Sequence, residues 1–351
     1  MARSKDPQRP NVYEVAQRAG VSIATVSRVL HGSAPVAAET RQRVLQAADE
    51  LRWRPSRLAR AFIQQTHDAV GIVFPDISGP YYSQVIRGFE EQAVERKCAV
   101  LILGTHGRHH ADELVYDLAD RVDGLLVMGR TVSDEIVQAI DRPTMPVVLL
   151  ARPPVGDIPA VRAANTGSAE AVTRHLLEHG RRHLVFLGDP DLSADVRERW
   201  SGFRRALRRA GVPDVDDALV SCGGFDVDHG HKAGLGLLRR TEPLDAVVCA
   251  NDEVASGVYL AAAGSGVRVP DDVAVTGWDD TAIATHLEPS LTTVRQPMQQ
   301  LGVRAAGLLF DRVEGHPAAS TVLRTSLVVR ESCGCRRQRR EPPAQPARGK
   351  S

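Results

Sequence analysis

The stretch VYEVAQRAGVSIATVSRVLH, residues 12–31, decides how the first part of this chain folds. Val12, Val15, Ala16 and Ala19 recur at helical spacing and share one face of a helix over 12–19. Gly20 breaks that helix. Ser22 is placed to cap the next one, its hydroxyl oxygen accepting from a backbone N–H of the first turn. Val26, Val29 and Leu30 then form the apolar side of a helix over Ser22–His31. Ile23, Ala24, Ser27, Arg28 and His31 fall on its other side. A third helix, Glu39–Leu51, offers Val44, Leu45, Ala48 and Leu51 as its apolar stripe. Two short helices joined by a tight glycine turn, with a third packed behind, make a helix-turn-helix unit. Each helix alone is marginal, so the shared core has to hold them.

In RWRPSRLARAF, residues 52–62, Pro55 stops the third helix at Arg54. A short basic helix over Arg57–Phe62 has little apolar surface and needs something to pack on it. Ile63–His67 leads into the body of the chain.

The body alternates strands and helices. Strands are expected at Ala69–Phe74, Ala99–Leu103, Asp123–Met128 and Pro146–Leu150, with helices at Ser83–Arg96, Asp112–Ala119 and Asp134–Ala139 between them. A second series has helices at Ser168–His179, Glu198–Ala210, Gly230–Arg239 and Glu253–Ala262, with strands at Leu184–Leu187, Ala246–Cys249 and Val273–Thr276. Strands spaced by helices argue for parallel sheets covered on both faces, and two series argue for two doubly wound lobes. Ligands in such lobes bind beyond the carboxyl ends of the strands.

A chain of 351 residues suits two or three domains, and 43% hydrophobic with 25% charged residues describes a soluble globular protein. Its net charge of +1 hides a segregation. Residues 1–62 hold 11 Lys/Arg against 5 Asp/Glu, and residues 336–351 hold 6 against 1. By difference from the totals of 44 and 43, residues 63–335 hold 27 against 37. A basic head on an acidic body points to a polyanion partner. The N-terminal MARSKDPQRP is followed by no apolar segment, and the longest apolar runs are too short to cross a bilayer, so neither a secretory leader nor a membrane span is expected. Five scattered cysteines fit reduced thiols in a cytoplasm. Cys333 and Cys335 lack a second ligand pair, and the pair reads as incidental to the tail, so no metal is expected. From Glu341 onward the chain is polar and proline-rich, and order is not expected there.

NVYEVAQRAGVSIATVSRVLHG and ETRQRVLQAADELRWRPSRLARAF resemble the head of the LacI/GalR family of bacterial transcription regulators. The body carries the resemblance on VGIVFPDISGPYYSQVIRGFEE, RVDGLLVMG, RERWSGFRRAL, VCANDEVASG, VRVPDDVAVTGWDD and PSLTTVRQPMQQLG, so it covers residues 11–333. The resemblance implies an α/β chain in which a three-helix helix-turn-helix head and a hinge helix precede a two-lobed, doubly wound, periplasmic-binding-protein-like sensor. The expected divisions are a leader at 1–10, a DNA-binding domain at 11–54, a hinge and linker at 55–67, a sensor at 68–333 and a basic tail at 334–351. Within the sensor, one lobe takes 68–163 and 295–323, the other 164–294 and 324–333.

In the head, the helix over Ser22–His31 is expected in the major groove of double-stranded operator DNA. Arg28 carries the two donors that suit guanine O6 and N7. Ile23 and Ala24 match the family's base-contact positions but offer only van der Waals contact, for example to a thymine methyl. Ile23 could instead pack within the head, and Arg28 could be a solvated arginine. Tyr13, Ser22, Thr25 and Ser27 bring hydroxyls suited to phosphate, and His31 lies on the same exposed face. The family often has Ser or Thr ahead of the third helix. Ala37 stands there in this chain, a lost cap worth about 1 kcal/mol. In the family the hinge pairs with its mate in the minor groove and wedges a leucine into the central base step. Phe62 holds that position here, with Ala59 at the close-contact position before it. The lesser alternative is that Phe62 anchors the linker on the sensor.

In the sensor, the family's ligand positions fall on Tyr81 and Tyr82, in the loop after the first strand, and on Arg152, Arg199, Phe225, Asn251, Asp279 and Gln296. Aromatic faces stack on a sugar, while Arg, Asn, Asp and Gln grip hydroxyls, so a sugar, other polyol or nucleoside effector is expected. Taken singly, Asp279 could cap a segment and Arg199 could pair on the surface. Ala151 stands where many members carry an aspartate, and Gly79 replaces a frequent Asn.

Together these readings imply a ligand-responsive DNA-binding regulator, a repressor in sign, on a palindromic operator. It would act as a cytoplasmic homodimer, since the tail has no apolar heptads to build a tetramer. No cofactor is expected. Asp279–Asp280 and the histidines His106, His109, His110, His229 and His231 invite an enzyme reading, but no nucleophile elbow, Walker loop or zinc spacing accompanies them. A transport binding protein would lack the DNA head, and a non-specific nucleoid binder would leave the sensor unexplained.

Overall fold

The computed structural model describes residues 11–31, 35–53 and 67–335, apart from the side chains of Leu30 and His31. The leader, the hinge with Ala59 and Phe62, the His31 side chain and the tail from 336 on lie outside the described residues. The chain divides into two compact units after His67.

The first unit is three helices: α1 (Val12–Ala19), α2 (Ile23–His31) and α3 (Ala38–Glu50). The Asn11 side chain caps α1, accepting from the backbone N–H of Tyr13 at 2.9 Å and Glu14 at 3.2 Å. Gly20, at φ 65°, closes it in the left-handed conformation that a side chain resists. Ser22 Oγ accepts from the Thr25 N–H at 3.2 Å and so starts α2. Ala37 leaves α3 without a side-chain cap. Val15, Ala16, Ala19, Val26, Val29, Val44, Ala47 and Ala48 form the core, with Leu51 and Trp53 packed against it. Leu45 departs from the expected stripe: it is 48% exposed, and Ala47 takes the inward place. Residues 44, 47, 48 and 51 share one helical face, and position 45 is turned away from it.

The second unit is two parallel sheets. The first comprises β1 (Ala69–Phe74), β2 (Ala99–Gly104), β3 (Leu125–Met128), β4 (Val147–Leu150), β5 (Ala160–Ala163) and, much later, β11 (Thr321–Leu323). Their order is β11-β5-β4-β3-β1-β2, every pairing parallel. The second comprises β6 (Leu184–Leu187), β7 (Leu219–Val220), β8 (Ala246–Cys249) and β9 (Ala274–Thr276), in the order β7-β6-β8-β9. An antiparallel pair, β10 (Thr293–Arg295) and β12 (Ser326–Val328), stands beside it. The helices between strands are α4 (Pro80–Glu95), α5 (Ala111–Ala119), α6 (Asp134–Ile140), α7 (Thr166–Glu178), α8 (Ala194–Arg209), α9 (Val227–Leu238), α10 (Asp252–Ser265) and α11 (Ala282–His286). A late helix, α12 (Met298–Val313), packs on α4 and so returns the chain to the first sheet.

The alternation read from the sequence lacks β5, β7, β10, β11, β12, α11 and α12. The strands among these are two to four residues long, and tertiary pairing rather than local pattern makes them. Among the helices that begin earlier than expected, two bear directly on the site. Pro80 occupies the first turn of α4, where its missing N–H costs nothing. Tyr81 and Tyr82 therefore sit on a helix and not in a loop. Ser193 caps α8 by accepting from the Val196 N–H at 3.5 Å, so that helix starts at Ala194 instead of Glu198. At the C-terminal end, Gly334 and Cys335 are not part of a structureless tail: residues 331–334 form a turn, Cys333 is buried in the second lobe's core and Cys335 packs against it.

Candidate functional site

A cleft of about 490 Å³ lies where the loops after the strands of both sheets gather. All eight effector residues named from the sequence line it: Tyr81, Tyr82, Arg152, Arg199, Phe225, Asn251, Asp279 and Gln296. The first lobe gives the two tyrosines from the first turn of α4. Their rings meet edge to face at 5.5 Å, and Tyr82 leans on Phe74 at 5.4 Å. Gly79, just before them, sits at φ 90°, and a side chain there would press on the Glu253 carboxylate. Burial pushes the Tyr82 hydroxyl up to about 12 and Tyr81 well above its usual range, so both are neutral hydrogen-bonding groups.

Arg199 projects from α8 and is 6% exposed. Its Nε donates to Asn165 Oδ1 at 3.0 Å and one terminal nitrogen to the Ala250 carbonyl at 2.6 Å. Its guanidinium lies over the Trp278 ring, 4.5 Å from the centroid. That fixes the plane of the fork and leaves its other terminal nitrogen for a ligand. Asp279 follows β9, buried, at φ 114°. Burial raises its carboxyl to about 7, against the pull of Arg199 and the hydrogen bond from Gln296 Nε2 at 2.5 Å. Behind it, Asp252 accepts from Thr293 Oγ1 at 2.6 Å and from the Thr281 N–H at 2.8 Å, and burial raises it also to about 7. Two polar atoms in the cavity wall, Tyr81 Oη and Gln296 Oε1, are buried without a hydrogen-bond partner. Buried polar groups left this way cost free energy unless something meets them.

Two expected contacts are partly spent on the fold. Asn251 caps α10, accepting from the Val254 N–H at 2.8 Å while its Nδ2 donates to the Phe225 carbonyl at 2.8 Å. One amide hydrogen remains. Arg152 is held by the Val132 carbonyl at 3.1 Å and by the Asp134 carboxylate. Sequence reasoning missed Arg130, whose guanidinium covers one face of Phe225 at 4.2 Å, and the lining acids Asp76, Asp134, Asp191, Asp195, Asp226 and Glu253. Arg130 directly follows the DGLLVMG strand motif, a signal that could have found it. Asp280, by contrast, is tied to Arg295 at 2.6 Å and Arg330 at 2.5 Å. His106, His110 and His229 each lie beside a neighbouring carboxylate.

On the first unit, Tyr13 is 67% and Ile23 40% exposed; Ser22, Ala24 and Arg28 are exposed and Thr25 and Ser27 half-buried. Ile23 is not buried in the head's core, and on α2 Ile23, Ala24 and Arg28 are exposed together, with Tyr13 exposed on α1. Among the described residues no helix is long and apolar enough to cross a membrane.

Residues 11–56 match the family described as bacterial regulatory proteins, lacI family, and residues 173–333 the periplasmic binding protein-like domain. The HTH-type transcriptional regulator CelR of Thermobifida fusca is 36% identical over 337 residues, spanning 93% of this chain and 98% of that protein. A solved CelR–cellobiose complex superposes with a TM-score of 0.70 at 33% identity, covering 92% of this chain and all of that one (100%). The lac repressor dimer bound to operator and an anti-inducer gives 0.82 at 26% identity, covering 93% and 99%. The chain belongs to the LacI family of bacterial transcription regulators. It is a DNA-binding, ligand-responsive regulator of two units: a helix-turn-helix head and a periplasmic-binding-protein-like sensor.

Proposed function

We propose that this chain is a cytoplasmic repressor, without enzymatic activity, that binds a palindromic operator as a homodimer and answers to a sugar in the sensor cleft. The observation that carries the reading is the cleft itself. Tyr81, Tyr82 and Phe225 line it together with a clamped arginine, a buried carboxyl and a glutamine, with Tyr81 Oη and Gln296 Oε1 still unpartnered. This is a lining for a neutral, hydroxyl-rich ligand, because seven carboxyls (Asp76, Asp134, Asp191, Asp195, Asp226, Glu253 and Asp279) outnumber the four arginines of the cleft (Arg130, Arg152, Arg197 and Arg199) and disfavour an anion. The cellobiose complex of the similar CelR favours a sugar over a nucleoside. In DNA, Arg28 reads guanine through O6 and N7, Ile23 and Ala24 select by shape, Tyr13, Ser22, Thr25 and Ser27 set register on phosphates, and His31 belongs to the same DNA-binding set. Ala59 and Phe62 work at the operator centre, with Phe62 as an apolar wedge. Ligand and operator then alter each other's affinity by one reciprocal factor.

The test combines two titrations. A thermal-shift screen of mono- and disaccharides and nucleosides should give a sugar that raises the unfolding temperature. That sugar should change affinity for a selected palindromic duplex and not for random duplex. A nucleoside-only response removes the sugar reading. Affinity that collapses equally on both duplexes at higher salt removes the specific-operator reading.

A further inference from the structure

The fold brings together four side chains that the sequence keeps far apart. His175 lies in the last turn of α7 and His179 caps that helix, an H-x3-H spacing that sets both on one side. Cys333 and Cys335 come from the turn that ends the second lobe. His175 Nε2 is 3.2 Å from Cys333 Sγ and 3.6 Å from Cys335 Sγ. The ligand atoms of His175, Cys333 and Cys335 all lie within 4.8 Å of one another. His179 Nε2 approaches the group through Cys335 Sγ, at 3.2 Å. The two imidazoles meet edge to face, 4.6 Å between centroids.

We propose that His175, Cys333 and Cys335, with His179 turning in from Cys335 as the fourth ligand, bind a structural zinc ion that clamps the end of the sensor onto α7. Tetrahedral zinc, with nitrogen near 2.0 Å and sulfur near 2.3 Å, separates its ligand atoms by about 3.3–3.8 Å. His175 Nε2 to Cys335 Sγ, at 3.6 Å, fits such an edge, and the two 3.2 Å separations lie just under its lower bound, so His175, Cys333 and Cys335 already stand as three corners of a tetrahedron. Two imidazoles and two thiols form a donor set that prefers zinc to the hard, oxygen-seeking cations. The setting favours a closed structural site. Cys333 is fully buried, and its sulfur receives the Thr292 hydroxyl at 3.2 Å, a contact that orients it and supports a thiolate. Binding needs no redox partner: zinc displaces one proton from each thiol to solvent and takes lone pairs from the neutral imidazoles. The clamp joins positions 175 and 333, which are 158 residues apart, so the ion would restrict the unfolded chain over most of the second lobe.

The test uses the full chain, reduced and stripped of metal by a chelator, then titrated with cobalt(II) and with zinc(II). Wild type should take one cobalt per chain with the visible bands of a tetrahedral site and a thiolate charge-transfer band. Zinc should displace the cobalt and raise the unfolding temperature. C333S/C335S should lose both bands and the zinc-dependent shift. His179→Gln, at a partly open helix end, should keep the fold and lose affinity by about 10–100-fold or more, the range seen even for residues that only support metal ligands. Cys98→Ser should change nothing. If C333S/C335S does not fold, the His179→Gln result decides. Absent cobalt bands in wild type, bands that survive in C333S/C335S, or undiminished affinity in His179→Gln would each overturn the assignment, as would a Cys333–Cys335 disulfide that persists in freshly reduced protein.

Discussion

The two lobes of the sensor share an architecture and differ in what they bury. Around the first sheet the strands bury aliphatic side chains, Val70, Ile72, Leu126, Val148, Leu150 and Val161 on one side and Val73, Leu125, Val127, Val147 and Leu149 on the other, with Phe74, Phe89 and Phe310 among them. Its buried polar side chains among the described residues are Thr105, Arg152 and Gln296. The second lobe packs Phe186, Trp200, Phe203 and Trp278, and buries Asp189, Asp195, Arg199, Asn251, Asp252 and Asp279. One lobe is a frame that presents two tyrosines; the other is a polar network whose members hold one another. Buried polar networks fix geometry when every partner is present and fail badly when one is removed.

Removing a charge from each lobe should expose that contrast most strongly. Arg199→Ala should lower unfolding free energy by about 3–5 kcal/mol, since it strands buried acids, and should abolish effector binding. Arg152→Ala, whose partner Asp134 is well exposed, should cost clearly less in the same urea titration. Equal losses would erase the distinction. Asp252→Asn comes next. It removes a charge that burial disfavours, yet turns an amide toward the Thr281 N–H, and we expect a net loss of about 1–3 kcal/mol. A stabilised variant would mean that the charge, not the three donors around it, dominates there. Because its folded pKa is raised, Asp252 favours the fold below its unfolded value, near 4, and this contribution is lost as pH rises through about 7.

A smaller effect should appear in effector binding against pH. A sugar hydroxyl that donates to Asp279 favours the ionised carboxyl, so binding releases a proton. Affinity should weaken as pH falls below about 7 and level off above it. Calorimetry at several pH values would show this, and the dependence should flatten in Asp279→Asn. A profile unchanged by that substitution removes the contact. The smallest expected change lies in the head: Ala37→Ser supplies the missing cap of α3 and should add about 1 kcal/mol to stability without touching the cleft.

The sequence made the long periodic pieces legible. Helix α1 and strands β1, β6 and β8 appear at the very residues expected, because pattern and tertiary packing agree there. The cleft residues could be named because loops after parallel strands converge, and the resemblance said which loops. What escaped depends on distance. β11 exists only because it pairs with β5, some 160 residues earlier. Cys333 looked incidental because its companion, His175, is invisible until α7 is laid against the final turn. Leu45 and Ala47 exchanged places because a helical face is chosen by what packs on it.

The return of β11 to the first sheet has a mechanical consequence. The chain passes between the sheets at three short places, after β5, after β10 and after β11. A single connector would let one sheet swivel freely against the other. Three connectors act as a flexure: they bend together about one line and resist torsion. Any opening or closing of the cleft is thereby reduced to a single angular coordinate, and whatever sits among the tyrosines and Arg199 sets its value.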